Sequence, residues 1–300
     1  MAISLLRQLP KKIQDWATLA AAQDLFRWAE EKEEWVFRGV SDGGGNELRT
    51  TLEVVASEFD VTGDKIPDLE VKLILEFMRR YHLYGLEPPP QKGDTLDWLA
   101  LMRHHGAPSR FLDFTFSFLV AAYFALERKP TATPVIWAIN KSWLTREIDK
   151  MMDNLGEPIA FQFKRYERFR DGNAFREVFF KARPCLVGTT SPFRLNERLT
   201  IQQGLFLCPG DVTKTFDENL RAMPNQNKNV LKIPIVANAR PTLLAALHRA
   251  NLTRATLFPG LDGFAMSLWT RALFLKRLQS MEDSRSRSSV NLDIDALGEW

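Results

Sequence analysis

Apolar residues recur along this chain at two periods, and the switches between them mark its elements. Over 15–33, Trp16, Leu19, Ala20, Leu25, Phe26 and Trp28 make a helical face, and the run Glu30-Glu31-Lys32-Glu33-Glu34 closes the segment as a solvated end. A short strand is predicted over 35–40, bounded by the turn cluster Ser41-Asp42-Gly43-Gly44-Gly45. Over 67–85, Pro67 opens an amphipathic helix, Leu69, Leu73, Phe77 and Tyr84 follow its spacing, and Gly85 stops it. Pro88-Pro89-Pro90 breaks the chain, and Asp94 or Thr95 caps a further helix to about His105, with Leu96, Leu99 and Met102 on its face. A strand over 110–114 and a buried helix over 117–128 follow. Further strands are predicted over 134–140, 199–207 and 230–236, with Gly204 inside the second and Pro234 marking the third as an edge. The charged stretch 141–181 suggests helices at 142–153 and 172–180, and helices over 239–250 and 261–279 complete the pattern.

With no internal repeat and no clean linker, this order implies one α+β domain with a mixed sheet surrounded by helices. Residues 1–34 form a helical lead-in, 35–279 the domain, and 280–300 a Ser-rich tail expected to be disordered. Leu292, Ile294, Leu297 and Trp300 make the end of that tail a docking segment for a partner.

Composition narrows the function classes. The 300 residues carry a net charge of +3, without the basic stripe expected of a nucleic-acid scaffold. Cys185 and Cys208 are not closely spaced, which argues against a disulfide framework or a zinc knuckle and fits a reducing cytoplasm. Met1–Pro10 lacks the long apolar core of a signal peptide, and no apolar stretch is long enough for a membrane span. The four histidines, His82, His104, His105 and His248, do not pair at metal-ligand spacing, so no metal is expected. Gly43-Gly44-Gly45 could cradle a phosphate but reads as a flexible loop, and nothing resembles a Walker loop, a Rossmann glycine fingerprint or a nucleophile elbow.

What stands out is polar chemistry inside apolar runs. Arg38 sits between Phe37 and Gly39 in the first strand. A charge there needs a partner, since burying it unpaired is costly. It reaches either a ligand phosphate or carboxylate, with Gly39 allowing close approach, or Asp113 as an internal ion pair. Arg110 and Asp113 lie three apart on an extended segment and face opposite sides; alternation places Asp113 with Thr115. Gln202 interrupts the strand over 199–207 and is a candidate ligand contact beside Gly204.

These residues fall in four blocks that resemble the FRG domain family. Trp35-Val-Phe-Arg-Gly39 is similar to the signature that names it. His104-His-Gly-Ala-Pro-Ser-Arg-Phe-Leu-Asp-Phe-Thr115, running into Leu119–Ala125, resembles its second block, usually close to Gln-His-Tyr-Gly-x-Pro-Thr-Arg-Leu-Leu-Asp-Trp-Thr. Arg198-Leu-Thr-Ile-Gln-Gln-Gly-Leu-Phe206 and Thr256-Leu-Phe-Pro-Gly-Leu-Asp-Gly263 resemble the third and closing blocks. Arg103 stands where Gln is common, His105 where Tyr is common, and Ser109 and Phe114 replace Thr and Trp. The order of blocks looks like a divergent ADP-ribosyltransferase with NAD as substrate. The resemblance implies that Arg38 holds the NAD phosphates or ribose, Thr115 lines the nicotinamide pocket, and Gln202 takes the late-strand position that normally binds the ribose hydroxyl. His104, Arg110 and Asp113 join Arg38 in binding the dinucleotide. A Gln in place of Glu polarises that hydroxyl poorly, and Glu197 is a fallback acid. The implied context is a bacterial toxin or phage-defence effector that modifies a protein or nucleic acid, with an antitoxin or other partner on the tail. The alternative is a non-catalytic nucleotide- or phosphate-binding module.

Overall fold

The computed structural model describes residues 6–31, 33–43, 48–85, 87–128, 132–192 and 197–272. The tail over 280–300, its docking segment and the triple glycine beyond Gly43 lie outside these residues. Six strands build one sheet: β1 Trp35–Val40, β2 Leu112–Thr115, β3 Val135–Asn140, β4 Val187–Thr190, β5 Gly204–Pro209 and β6 Val230–Pro234. Their spatial order is β4-β5-β2-β1-β3-β6. Every neighbouring pair is antiparallel, so the expected mixed sheet is antiparallel in all its strands. The one parallel contact among the described residues is the isolated bridge Ile13–Ile235.

Helices cover both faces, and strand alternation sorts the core between them. On one face Trp35 and Phe37 of β1 and Ile136 and Ala138 of β3 pack against α1 (Trp16–Glu30), α5 (Phe118–Leu126) and α9 (Arg240–Arg249). Phe26 of α1 and Phe118 of α5 meet the Phe37 ring edge-on at 4.9 and 5.3 Å. On the other face Val36, Ile139 and Phe114 pack against α4 (Thr95–His104), α6 (Lys141–Asn154) and α7 (Glu157–Phe169). Asp15, Asp94 and Ser117 cap α1, α4 and α5 through their side chains, as short polar residues at these positions should.

Two further helices, α2 (Thr51–Glu58) and α3 (Lys65–Tyr84), link β1 to α4, and a short helix, α8 (Glu197–Ile201), precedes β5. Here the structure departs from the sequence pattern. The predicted strand over 199–207 is a helical turn followed by a strand that begins at Gly204. The Gln202 N–H bonds the Arg198 carbonyl, Gln203 turns the chain at φ 49°, and a Cβ on Gly204 would overlap Leu199. Leu199 therefore folds back onto the strand it was expected to extend. The short edge strand β4 and helices α2 and α7 were not anticipated. Pro234, by contrast, does fall on an edge strand, β6.

Gly39 also differs from its expected role. A Cβ there would overlap the backbone carbonyl of Ala121, so the group that approaches closely is helix α5. This close packing seats α5 directly across the first strand.

Candidate functional site

Strand β1 pairs with β3 along its whole length, and β2 with β5 likewise, yet β1 and β2 meet at one residue pair, Phe37 with Thr115. Beyond it the ladder opens. Backbone groups freed in this way must find other partners. Arg38 supplies one: its Nη1 donates to the carbonyl oxygen of Asp113 at 2.8 Å across the gap. The opening leads into a cavity of about 580 Å³ lined by β1, β2, the end of α5, and the segments around residues 198–202 and 254–258.

Five arginines, Arg38, Arg103, Arg128, Arg198 and Arg254, and two carboxylates, Asp113 and Glu127, line it. Arg103, in the last turn of α4, donates Nε to Asp113 Oδ2 at 2.9 Å and Nη2 to the same oxygen. Asp113 Oδ2 is 4.0 Å from Arg38 Nη1, so Arg103 is the principal ion-pair partner of this carboxylate and Arg38 the lesser one. Burial would raise the Asp113 pKa, but the charge and hydrogen bonds of Arg103, with Arg38 and Arg198 behind them, hold it below the ordinary carboxylate value. Burial pushes Arg38 down to about 10, against the pull of Asp113. It is still charged at neutral pH.

On the opposite wall the Phe258 ring lies between two guanidinium groups, Arg198 and Arg254, each 4.2 Å from its centroid. Arg254 Nη1 pairs with Glu127 Oε2 at 2.6 Å. Arg198 makes no close ion pair and no side-chain hydrogen bond among the described residues, although it feels the charges of Asp113 and Glu127, and burial lowers its pKa. Arg38 Nε and Arg254 Nε are buried N–H donors without an acceptor among those residues. Buried donors are normally satisfied, so unused ones around a basic cavity mark it as suited to an anion.

Thr115 and Gln202 also line the cavity, but their polar groups are engaged within the fold. Thr115 Oγ1 donates to the Gln202 carbonyl at 2.7 Å and accepts from the Ser117 N–H at 2.9 Å. Gln202 Nε2 donates to the Leu257 carbonyl at 2.9 Å. Together they tie the turn before β5 to β2 and to the closing segment. Gln202 thus comes from the loop after α8 rather than from a late strand.

Arg110 lies elsewhere. It is 1% exposed and donates to both oxygens of Glu70, also 1% exposed, with Nε–Oε1 at 2.7 Å. Nη1 donates to the Phe179 carbonyl at 2.8 Å, and the Phe180 ring stacks on the guanidinium at 4.2 Å. The resemblance places it among the ligand-binding residues, but from the bend before β2 it points into the core, while β2 turns Asp113 toward the cavity. His104 is not among the cavity-lining residues; it packs edge-to-face with His105 at 4.9 Å, and burial, then His105, lowers its pKa. Among the described residues no group of three His, Cys, Asp or Glu side chains could hold a metal ion. Cys208 is buried, and burial pushes its thiol up to about 12, away from nucleophilic use.

Sequence reasoning missed Glu127, Arg198, Arg254 and Phe258 as lining residues and met Arg103 only as a departure from a motif. The one signal was position: Arg198 opens the third block, Phe258 lies in the closing block, and Arg254 just precedes it. No described helix is long and apolar enough to cross a membrane.

No curated protein and no solved structure matches the chain. The blocks at 198–206 and 256–263, with Arg198, Gln202 and Phe258, and the neighbouring Arg254 lie outside the stretch that the FRG family model covers. That stretch, residues 33–133, holds Arg38, Arg103, Asp113, Thr115 and Glu127 and is similar to the FRG domain.

Proposed function

We propose that the cavity between β1 and β2 binds NAD and that the protein transfers ADP-ribose from it to a macromolecule or to water. The carrying observation is the convergence of five arginines, Arg38, Arg103, Arg128, Arg198 and Arg254, on one cavity whose two carboxylates, Asp113 and Glu127, pair chiefly with Arg103 and Arg254. A pyrophosphate bearing two charges suits such a set, because guanidinium forks bind phosphate oxygens in pairs. The volume of about 580 Å³ lies within the range of small-molecule sites. Phe114, Phe124 and Phe258 supply apolar surface for the rings of a dinucleotide.

Loss of nicotinamide passes through an oxocarbenium-like state. Holding the pyrophosphate fixes the scissile bond against the cavity wall, and this positioning is the contribution the arginines make. The acceptor is a protein or nucleic acid, in keeping with the toxin-type resemblance. Two free cysteines fit a cytoplasmic setting.

The test is calorimetric titration with NAD alongside a nicotinamide-release assay on the same protein. Saturable binding that weakens with added salt, together with release, supports the reading. No binding at millimolar NAD overturns it. A second reading, a nucleotide- or phosphate-binding module without turnover, draws on the engagement of Thr115 and Gln202 in structural hydrogen bonds. Binding without release selects it.

A further inference from the structure

If the cavity works on NAD, it needs a negative group near the cationic ribose, and Gln202 cannot provide one. Two carboxylates line the cavity. Asp113 receives two hydrogen bonds from Arg103 and lies beside Arg38. Glu127 is different. It receives one hydrogen bond, from Arg254 to Oε2, and Oε1 has no protein donor among the described residues.

Its location is also unfavourable for stability alone. Glu127 stands at the C-cap of α5, the negative end of the helix dipole, where an acid is disfavoured. The fold compensates with a separate cation. Arg240 donates Nε to the Leu126 carbonyl at 2.7 Å and Nη2 to the Glu127 carbonyl at 3.0 Å, neutralising the helix end from behind. Arg254 is stacked on Phe258, so the Glu127 carboxylate is fixed through a partner that is itself fixed. The Glu127 side chain is 13% exposed. A carboxylate held rigid at the cavity wall, with one oxygen unused, is arranged for work on a bound molecule rather than for holding the helix.

Resting on the NAD reading above, we propose that Glu127 is the catalytic carboxylate of this site. As the bond from the ribose C1′ to the nicotinamide nitrogen breaks, its electron pair leaves with nicotinamide. Glu127 stabilises the positive charge left on the ribose and hydrogen-bonds its hydroxyl. The acceptor oxygen then adds to C1′, and its proton passes to the Glu127 carboxylate. No oxidant or reductant is needed.

The experiment uses the full chain and two proteins, unmodified and Glu127→Gln. Glu127→Gln should lower the rate of nicotinamide release at least about 100-fold. The NAD dissociation constant by calorimetry should change by less than about threefold, since uniform binding is not what is lost. If Glu127 matters only by holding Arg254, a residue of the phosphate-binding set, NAD affinity falls together with release, and the proposal falls. If release is lost while affinity holds and the variant stays folded by circular dichroism, the proposal stands. Release by Glu127→Gln near the unmodified rate overturns this inference alone. Failure of the unmodified chain to release nicotinamide overturns the NAD reading and this inference with it.

Discussion

Replacing Arg38 by Ala separates a ligand clamp from a structural ion pair, and the structure sets the scale of each outcome. Arg38 makes one hydrogen bond, 2.8 Å to the Asp113 carbonyl, and a distant 4.0 Å contact with its carboxylate. A hydrogen bond to a charged group contributes about 1.5–3 kcal/mol. Removing Arg38 also removes a guanidinium that burial disfavours, and it leaves Asp113 paired with Arg103. The net loss should be about 1–2 kcal/mol, a few degrees in Tm for a chain of this size. Arg110→Ala is the internal control. It leaves Glu70, 1% exposed, without its partner, at about 3–5 kcal/mol, and strips the Phe179 carbonyl of a donor. Thermal unfolding should therefore rank the two variants clearly, with Arg38→Ala near the parent and Arg110→Ala far below or unfolded. Arg38→Ala should also lose NAD binding or nicotinamide release. If it melts as early as Arg110→Ala, Arg38 is a structural element and the clamp is wrong. If it is stable and turns over NAD at the parent rate, Arg38 has no part in the chemistry.

Three further outcomes follow from other contacts. Gly39→Ala should cost about 3 kcal/mol or more and lower Tm steeply, because the new methyl meets the Ala121 carbonyl and Ala125 N–H of α5 rather than a movable side chain; a Tm within two or three degrees of the parent would show that α5 can shift. Asp113 has a folded pKa below its unfolded value of about 3.9, so its contribution to stability is present above that pH and disappears as pH falls through the folded pKa. Arg103→Ala removes the main cause of the depression, so its acid-unfolding midpoint by fluorescence should move to higher pH, and an unchanged midpoint refutes the assignment. In native protein iodoacetamide should label Cys185, which is part-exposed, well before Cys208, buried with its thiol pushed to about 12; equal rates by mass spectrometry would contradict that burial.

The local features were legible because local rules govern them. The bounds of β1, the helix after Thr115 and the edge character at Pro234 all follow from periodicity, caps or proline chemistry. Two kinds of feature were not legible. Apolar residues at 199, 201 and 205–207 fit a strand, yet a single helical turn satisfies them equally well once Leu199 packs on Gly204, and only tertiary contact decides between the two. The second is the meaning of a face. Alternation says that Arg110 and Asp113 diverge, but not which of them meets the core. That depends on Glu70, forty residues upstream on α3, and on the opening of the β1–β2 ladder at Phe37 and Thr115.

The opening itself explains why the cavity is basic. A sheet split at its centre leaves carbonyl groups of β2 without strand partners, and a cation is the strongest replacement donor. Arg38 fills that role at the price of its own desolvation, which Asp113 partly offsets. Asp113 in turn draws in Arg103. One interrupted ladder thus gathers two arginines and an acid, and the wall of Arg198, Phe258 and Arg254 adds two arginines with a single acid, Glu127. Structural need accounts for the first group. It does not account for Arg198, which satisfies no carbonyl and no carboxylate among the described residues and yet is held in place on an aromatic ring. Arg198→Ala is therefore the cleanest discriminator of ligand from scaffold. Stability should change by no more than about 2 kcal/mol, the scale of a part-buried cation–π contact. Affinity for NAD should fall about tenfold or more with the loss of a phosphate contact, a drop of about 1.4 kcal/mol. A variant that binds NAD as tightly as the parent, measured by calorimetry at low salt, would detach the second wall from the site.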